Sequence, residues 1–127
     1  MWYHGWQLEA IHAPEDRFPP ADLWQQQLVS SRLLEYEVWN RINARRLARS
    51  HGEDIRALLA RIALLELAPP VLERAIEPFP VAVRTLDALH LASIAFLSSR
   101  GQTIELASYD ARLTDCARQL GFRVATI

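Results

Sequence analysis

The stretch Thr85–Ser99 constrains this chain more than any other. Leu86, Leu89, Leu91, Ala92, Ile94, Ala95, Phe96 and Leu97 nearly encircle a helix there. A helix that is apolar on most sides is buried on most sides. Yet the same segment carries Asp87 in its first turn and His90 one turn on. A carboxylate complements the helix dipole at that position. Beside so apolar a segment it also needs a partner, and a cation would supply one. His90 reads as a hydrogen-bonded structural residue rather than a ligand, because hard cations prefer oxygen.

The rest of the chain alternates short apolar strands with helices. Residues 1–20 form an atypical lead-in, aromatic at Trp2, Tyr3 and Trp6 and proline-rich towards Pro20. Asp22 is placed to cap a short helix over Leu23–Gln27. Leu28–Ser30 reads as a buried strand. Leu34, Val38 and Ile42 recur at four-residue steps, which predicts a long helix over Leu33–Ser50, closed at His51-Gly52 by a glycine. Glu53–Leu65 reads as a second helix, Leu65–Ala68 as a strand, and Pro70–Ile76 as a helix with proline at its first position. Gly101 ends the Thr85–Ser99 helix. Thr103–Ser108 is expected as a strand, Asp110–Leu120 as a helix stopped by Gly121, and Arg123–Thr126 as a last strand. This order predicts an α/β fold, a three-layer α/β/α sandwich with a short parallel sheet, in one domain over 1–127.

Three acids stand out against that layout. Asp110 follows a strand and opens a helix, so it serves either as an N-cap or, at the carboxyl end of a strand, as a ligand-binding group. Asp87 is the second. Glu37, spaced i, i+4 from Arg41, is by itself an ordinary helix-surface residue. Converging at one end of a parallel sheet, the three would repel unless a cation neutralised them. Arg41 and Arg45 continue the helix that carries Glu37, either as a solvated face or as a grip on a nucleic-acid backbone. Every basic residue is arginine, which reflects either a GC-rich genome that favours arginine codons or planar recognition of phosphate. Net charge is −1, so no basic field covers the whole molecule. A phospho-accepting receiver domain is disfavoured, since it wants a lysine. One cysteine, Cys116, excludes an internal disulfide framework and fits a reducing compartment. No apolar stretch is long enough for a membrane span and no signal peptide opens the chain. A cytoplasmic protein is expected.

Together these pieces resemble the PIN domain, and within it the VapC-type toxins of bacterial toxin–antitoxin pairs. The resemblance runs from about Leu28 to Val124. Leu28-Val29-Ser30-Ser31-Arg32-Leu33-Leu34-Glu35-Tyr36-Glu37 is similar to the family's second strand and acid-bearing helix. Leu86-Asp87-Ala88-Leu89-His90-Leu91-Ala92 is similar to its most recognisable segment. Ser108-Tyr109-Asp110-Ala111-Arg112-Leu113 resembles its C-terminal end. The resemblance implies an endoribonuclease using Mg²⁺ or Mn²⁺, with Glu37, Asp87 and Asp110 as catalytic metal ligands, direct or through water; Arg41 and Arg45, which continue the Glu37 helix, are the candidate RNA contacts. It also implies an RNA substrate, a cognate antitoxin and a homodimer. The chain departs from the family at its start. The family's first strand ends in an aspartate, whereas residues 1–13 contain none. That departure supports an alternative: a catalytically impaired PIN-like module that binds an antitoxin or RNA without cleaving it.

Overall fold

The computed structural model of the chain describes residues 21–126. A 3-10 helix, Ala21–Gln25, leads into strand β1, Leu28–Ser31. Helices α1, Leu33–Ala44, and α2, Ala48–Leu59, cross over to β2, Ile62–Leu65. Helix α3, Pro69–Ala75, precedes α4, Thr85–Ser99. Strand β3, Glu105–Leu106, helix α5, Ala111–Gln119, and strand β4, Arg123–Val124, complete the order. β1 pairs in parallel with β2, Leu28 opposite Ile62 and Ser31 opposite Leu65. β3 pairs in parallel with β4, Glu105 opposite Arg123. Parallel pairs need crossovers, and the helices supply them. The expected α/β architecture is therefore present, its described strands forming two parallel pairs. No helix among the described residues is long and apolar enough to cross a membrane.

The core explains the helical faces. Leu34, Val38 and Ile42 of α1 are all fully buried, as their four-residue spacing demands. They pack with Ile55 and Leu59 of α2, Leu91 and Ile94 of α4, and Leu113, Cys116 and Ala117 of α5. Helix α4 has the bounds read from the sequence and buries Asp87, Ala88 and every residue from His90 to Ile94.

Several expectations are corrected. The helix over Leu33–Ser50 is in fact two. α1 stops when the Leu47 N–H donates to the Ile42 carbonyl at 3.0 Å and the Arg46 N–H to that of Asn43 at 3.0 Å. This is a Schellman ending. The same pair of bonds closes α4 at Gly101 and α5 at Gly121, with φ of 83° and 87°. At Arg46, φ is 58°, so an arginine holds the left-handed position that glycine holds elsewhere. Nothing in the local sequence marks this stop. It is made because Leu47, the next residue, turns in to pack on the core. Gly52, expected to end the helix, lies inside α2 and is buried. A Cβ there would stand 3.8 Å from the Trp39 ring and 3.4 Å from an Arg56 nitrogen, both ordinary contacts, so the position has room for a methyl group. The helix expected over Glu53–Leu65 ends at Leu59, and Ile62–Leu65 is instead the strand beside β1, in place of Leu65–Ala68. A short apolar run satisfies helix and strand periods alike, and the partner strand decides. The short helix expected over Leu23–Gln27 is the 3-10 turn Ala21–Gln25. The lead-in over 1–20 lies outside the described residues.

Candidate functional site

Glu37, Asp87 and Asp110 all fall near helix starts: the second turn of α1, the first turn of α4 and the N-cap of α5. The helices α1 and α5 each follow the carboxyl end of a parallel strand, where open α/β sheets bind ligands.

Asp110 divides its two oxygens. Oδ1 accepts the Leu113 N–H at 3.1 Å and so caps α5. Oδ2 faces Arg84, whose Nη2 lies 3.8 Å away. The Ser108 hydroxyl accepts the Asp110 N–H at 3.0 Å and holds the turn. The cap and a cation-facing oxygen thus coexist in one side chain. Asp87 is buried, with a side chain 9% exposed, and its Oδ2 lies 3.7 Å from Arg84 Nε. One guanidinium, itself 78% exposed, therefore spans carboxylates from two different helices.

Glu37 takes part in a separate polar relay. His90 is buried and its Nε2 lies 2.6 Å from Glu37 Oε1. Its Nδ1 lies 2.9 Å from the hydroxyl of Ser31, the last residue of β1. Burial pushes the His90 imidazole below its ordinary pKa, while Glu37 and then Asp87 pull it the other way. A neutral ring satisfies both contacts with Nε2–H donating to Glu37 and the Ser31 hydroxyl donating to Nδ1. Ser31 is anchored in turn by the β1–β2 register and by the Arg32 N–H, which donates to the Leu65 carbonyl at 2.8 Å. The Arg32 guanidinium fastens the same corner, donating to Glu35 at 3.0 Å and to Glu66.

Arg84 thus joins Asp87 to Asp110, while Glu37 is tied to His90 and through it to Ser31. Among the described residues no three His, Cys, Asp or Glu side chains are grouped closely enough to hold a metal ion. Asp87 and Asp110 fit a hard cation better than the full trio. They offer oxygen donors, one nearly buried, and a guanidinium already stands between them as a stand-in cation. Mg²⁺ is usually held by one or two carboxylates with substrate phosphates. Glu37, tied to His90, suits a contact through water.

Arg41 lies in the last turn of α1 and Arg45 is its C-cap, both exposed. The break at Arg46 means that Arg49 belongs to α2, so the arginines do not run down one helix. Reading the sequence alone gives neither Arg84 nor Ser31 a role of its own. The signal that could have found them is position: Arg84 immediately precedes α4, and Ser31 ends β1.

These features, three acids carried near the starts of helices on parallel strand pairs, define a PIN-like α/β protein. A family model of the PIN domain matches residues 8–119, and the chain belongs to that family. The match reaches back beyond Leu28 into the lead-in. The chain is also 35% identical over 74 residues to Ribonuclease VapC47 of Mycobacterium tuberculosis (strain CDC 1551 / Oshkosh), covering 58% of this chain and 53% of that protein. It thus spans about half the length of the curated relative it matches. No solved structure matches it.

Proposed function

We propose that this chain is a divalent-metal-dependent endoribonuclease of the VapC type, hydrolysing RNA phosphodiester bonds. The observation that carries this reading is the pairing of Asp87 and Asp110, from two helices, across one exposed cation. Membership of the PIN family and similarity to a protein named as a ribonuclease support it.

In this reading Asp87 and Asp110 hold Mg²⁺ or Mn²⁺, and Glu37 contributes through water. When bound, such a cation supplies Lewis-acid polarisation of the phosphodiester and a water of lowered pKa. The chain's own residues do the positioning. The α5 cap fixes the Asp110 carboxyl plane, so that Oδ2 stays turned towards Asp87's side of the site. His90, held by Ser31, fixes the Glu37 carboxylate by one oxygen. Arg41 and Arg45 bind RNA phosphates. The partners are an RNA substrate, a cognate antitoxin and a second copy of the chain, in the cytoplasm. An apolar groove of about 570 Å³ between α3 and α4, lined by Leu72, Ile76, Phe79, Val81, Val83 and Leu89, supports a protein partner. It includes none of the three acids.

A second reading is a PIN-like module that binds antitoxin or RNA without cleaving. It is favoured by the lack of a three-ligand group among the described residues. One experiment separates the two: cleavage of single-stranded RNA with Mn²⁺, with chelator, and by Asp87→Asn. Metal-dependent cleavage that disappears in Asp87→Asn supports the enzyme. Salt-sensitive RNA binding without cleavage supports the module. Arg41→Ala with Arg45→Ala should lower the salt slope of RNA binding by about one unit for each phosphate that no longer meets an arginine.

A further inference from the structure

The turn between α1 and α2 gathers positive charge. Arg41, Arg45, Arg46 and Arg49 fall within nine residues, and no acid stands between Val38 and Gly52. The chain as a whole has a net charge of −1, so this is a local field and not a general one. All four arginines are exposed, and none makes a side-chain hydrogen bond, ion pair or ring contact with another described residue. By contrast Arg32 and Arg84 face carboxylates, Arg61 donates to the Trp24 carbonyl, and Arg56, Arg74 and Arg100 lie over aromatic rings.

The fold does not ask for this placement. Three helices close by the same pair of turn bonds, with glycine in the left-handed place at Gly101 and Gly121 and arginine there at Arg46. Arg46 is the one non-glycine residue with positive φ among the described residues, a strained position for an L residue. Strain of this kind collects at functional sites. Arg49 stands in the first turn of α2, where a positive charge opposes the helix dipole and no acid balances it. The four like charges also repel one another. A GC-rich genome accounts for arginine in place of lysine, but not for arginine in place of glycine at a left-handed turn. We propose that the α1–α2 turn is a clasp for the RNA backbone, holding phosphates at a distance from the bond to be cut. It rests on the reading of RNA as the substrate and deepens it. Arg41 lies one helical turn beyond Glu37 and Arg45 one turn further, about 6 Å and about 12 Å along α1. A strand leaving the acids along α1 meets Arg41 first, then Arg45 and Arg46, then Arg49. A row of charges that begins beside the acids and repeats turn by turn suits a continuous phosphate backbone, and each planar fork can grip one phosphate. Backbone contacts of this kind fix register without reading sequence.

The test measures binding of the full chain to a labelled single-stranded RNA oligonucleotide by fluorescence anisotropy, across a salt series in chelator, so that no metal enters. Arg46→Gly should bind RNA about twofold to fivefold more weakly, with a salt slope smaller by about 0.7–1 unit, while unfolding at higher urea. Weaker binding by a more stable chain cannot come from damage to the fold. Arg46→Lys keeps the charge and should hold the natural slope. Arg46→Gly combined with Arg49→Ala should lower the slope by about 1.4–2 units. Arg118→Ala removes an exposed arginine from α5 and should leave the slope as it is. An unchanged slope in Arg46→Gly or in the double variant overturns the clasp and leaves RNA as the substrate. An equal fall in Arg118→Ala overturns it in favour of diffuse attraction, and weaker binding with lower stability in Arg46→Gly overturns it in favour of a damaged turn. A natural chain that binds no RNA ends the RNA reading itself. One that instead binds a polyglutamate peptide through these arginines assigns the turn to an acidic protein partner.

Discussion

Replacing Asp110 separates the two things its oxygens do. Oδ1 caps α5 through the Leu113 N–H, and Oδ2 faces the Arg84 guanidinium, where a metal ion is proposed to bind. Asp110→Ala removes both. Loss of an N-cap of this kind costs about 1 kcal/mol, within a range of about 0.5–2. For a chain of this size that is a fall in Tm of about 4 °C. Asp110→Asn keeps an amide oxygen in the Oδ1 place, and asparagine caps as well as aspartate. It gives up a favourable charge at a helix N-terminus, about 0.3–1 kcal/mol, and relieves repulsion with Asp87, which acts in the other direction. Its Tm in chelator should therefore stay within about 2 °C of the natural chain. Metal binding should respond quite differently. Either substitution removes one of the two carboxylates proposed to hold the metal, and Mn²⁺ affinity should fall about tenfold or more, equivalent to about 1.4 kcal/mol. Differential scanning calorimetry in chelator and isothermal titration with MnCl₂ read the two effects on the same samples. If Asn destabilises as much as Ala, Oδ1 is not the cap. If Asn binds Mn²⁺ as the natural chain does, Oδ2 is not a ligand atom and Asp110 is a helix cap alone.

Arg46→Gly should raise stability by about 0.5–1 kcal/mol, because the left-handed position at φ 58° costs an L residue about 1–2 kcal/mol and the greater unfolded-state entropy of glycine offsets part of that gain; a lower urea midpoint would refute the strain. Gly52→Ala should also stabilise, by up to about 1 kcal/mol, since the added methyl meets only the flexible end of Arg56 at 3.4 Å and ordinary contact with Trp39; a loss would mean that α1 and α2 leave no room. Stability in metal-free buffer should fall as pH drops below 6.5, the ordinary histidine value. The unfolded chain takes up a proton there that buried His90 refuses, so stability is full above that pH and is lost beneath it, by at most about 1.4 kcal/mol per unit. Urea melts from pH 7.5 to 5 should show this slope, and His90→Gln should flatten it; an equal slope in the variant would assign the effect elsewhere.

The sequence by itself determined the elements whose signals are local. Thr85–Ser99 is helical over the range its apolar residues mark, and Gly101 and Gly121 end helices because only glycine takes their backbone without strain. The four-residue apolar spacing of α1 told which face is buried. The order of acids along strand–helix units was enough to point to the PIN family. Tertiary structure decided the rest. The break at Arg46 follows from Leu47 packing on the core, a contact invisible in the residues around it. Ile62–Leu65 became a strand because β1 lay beside it. Glu37, whose local spacing gives a surface pair with Arg41 and whose motif gives a metal ligand, is half-buried against His90, a residue distant in the chain that neither reading paired with it. Arg84 acquired its place only when the starts of α4 and α5 came together. Local backbone preference extends over a few residues, whereas a pairing of charges depends on where the folded chain brings its ends.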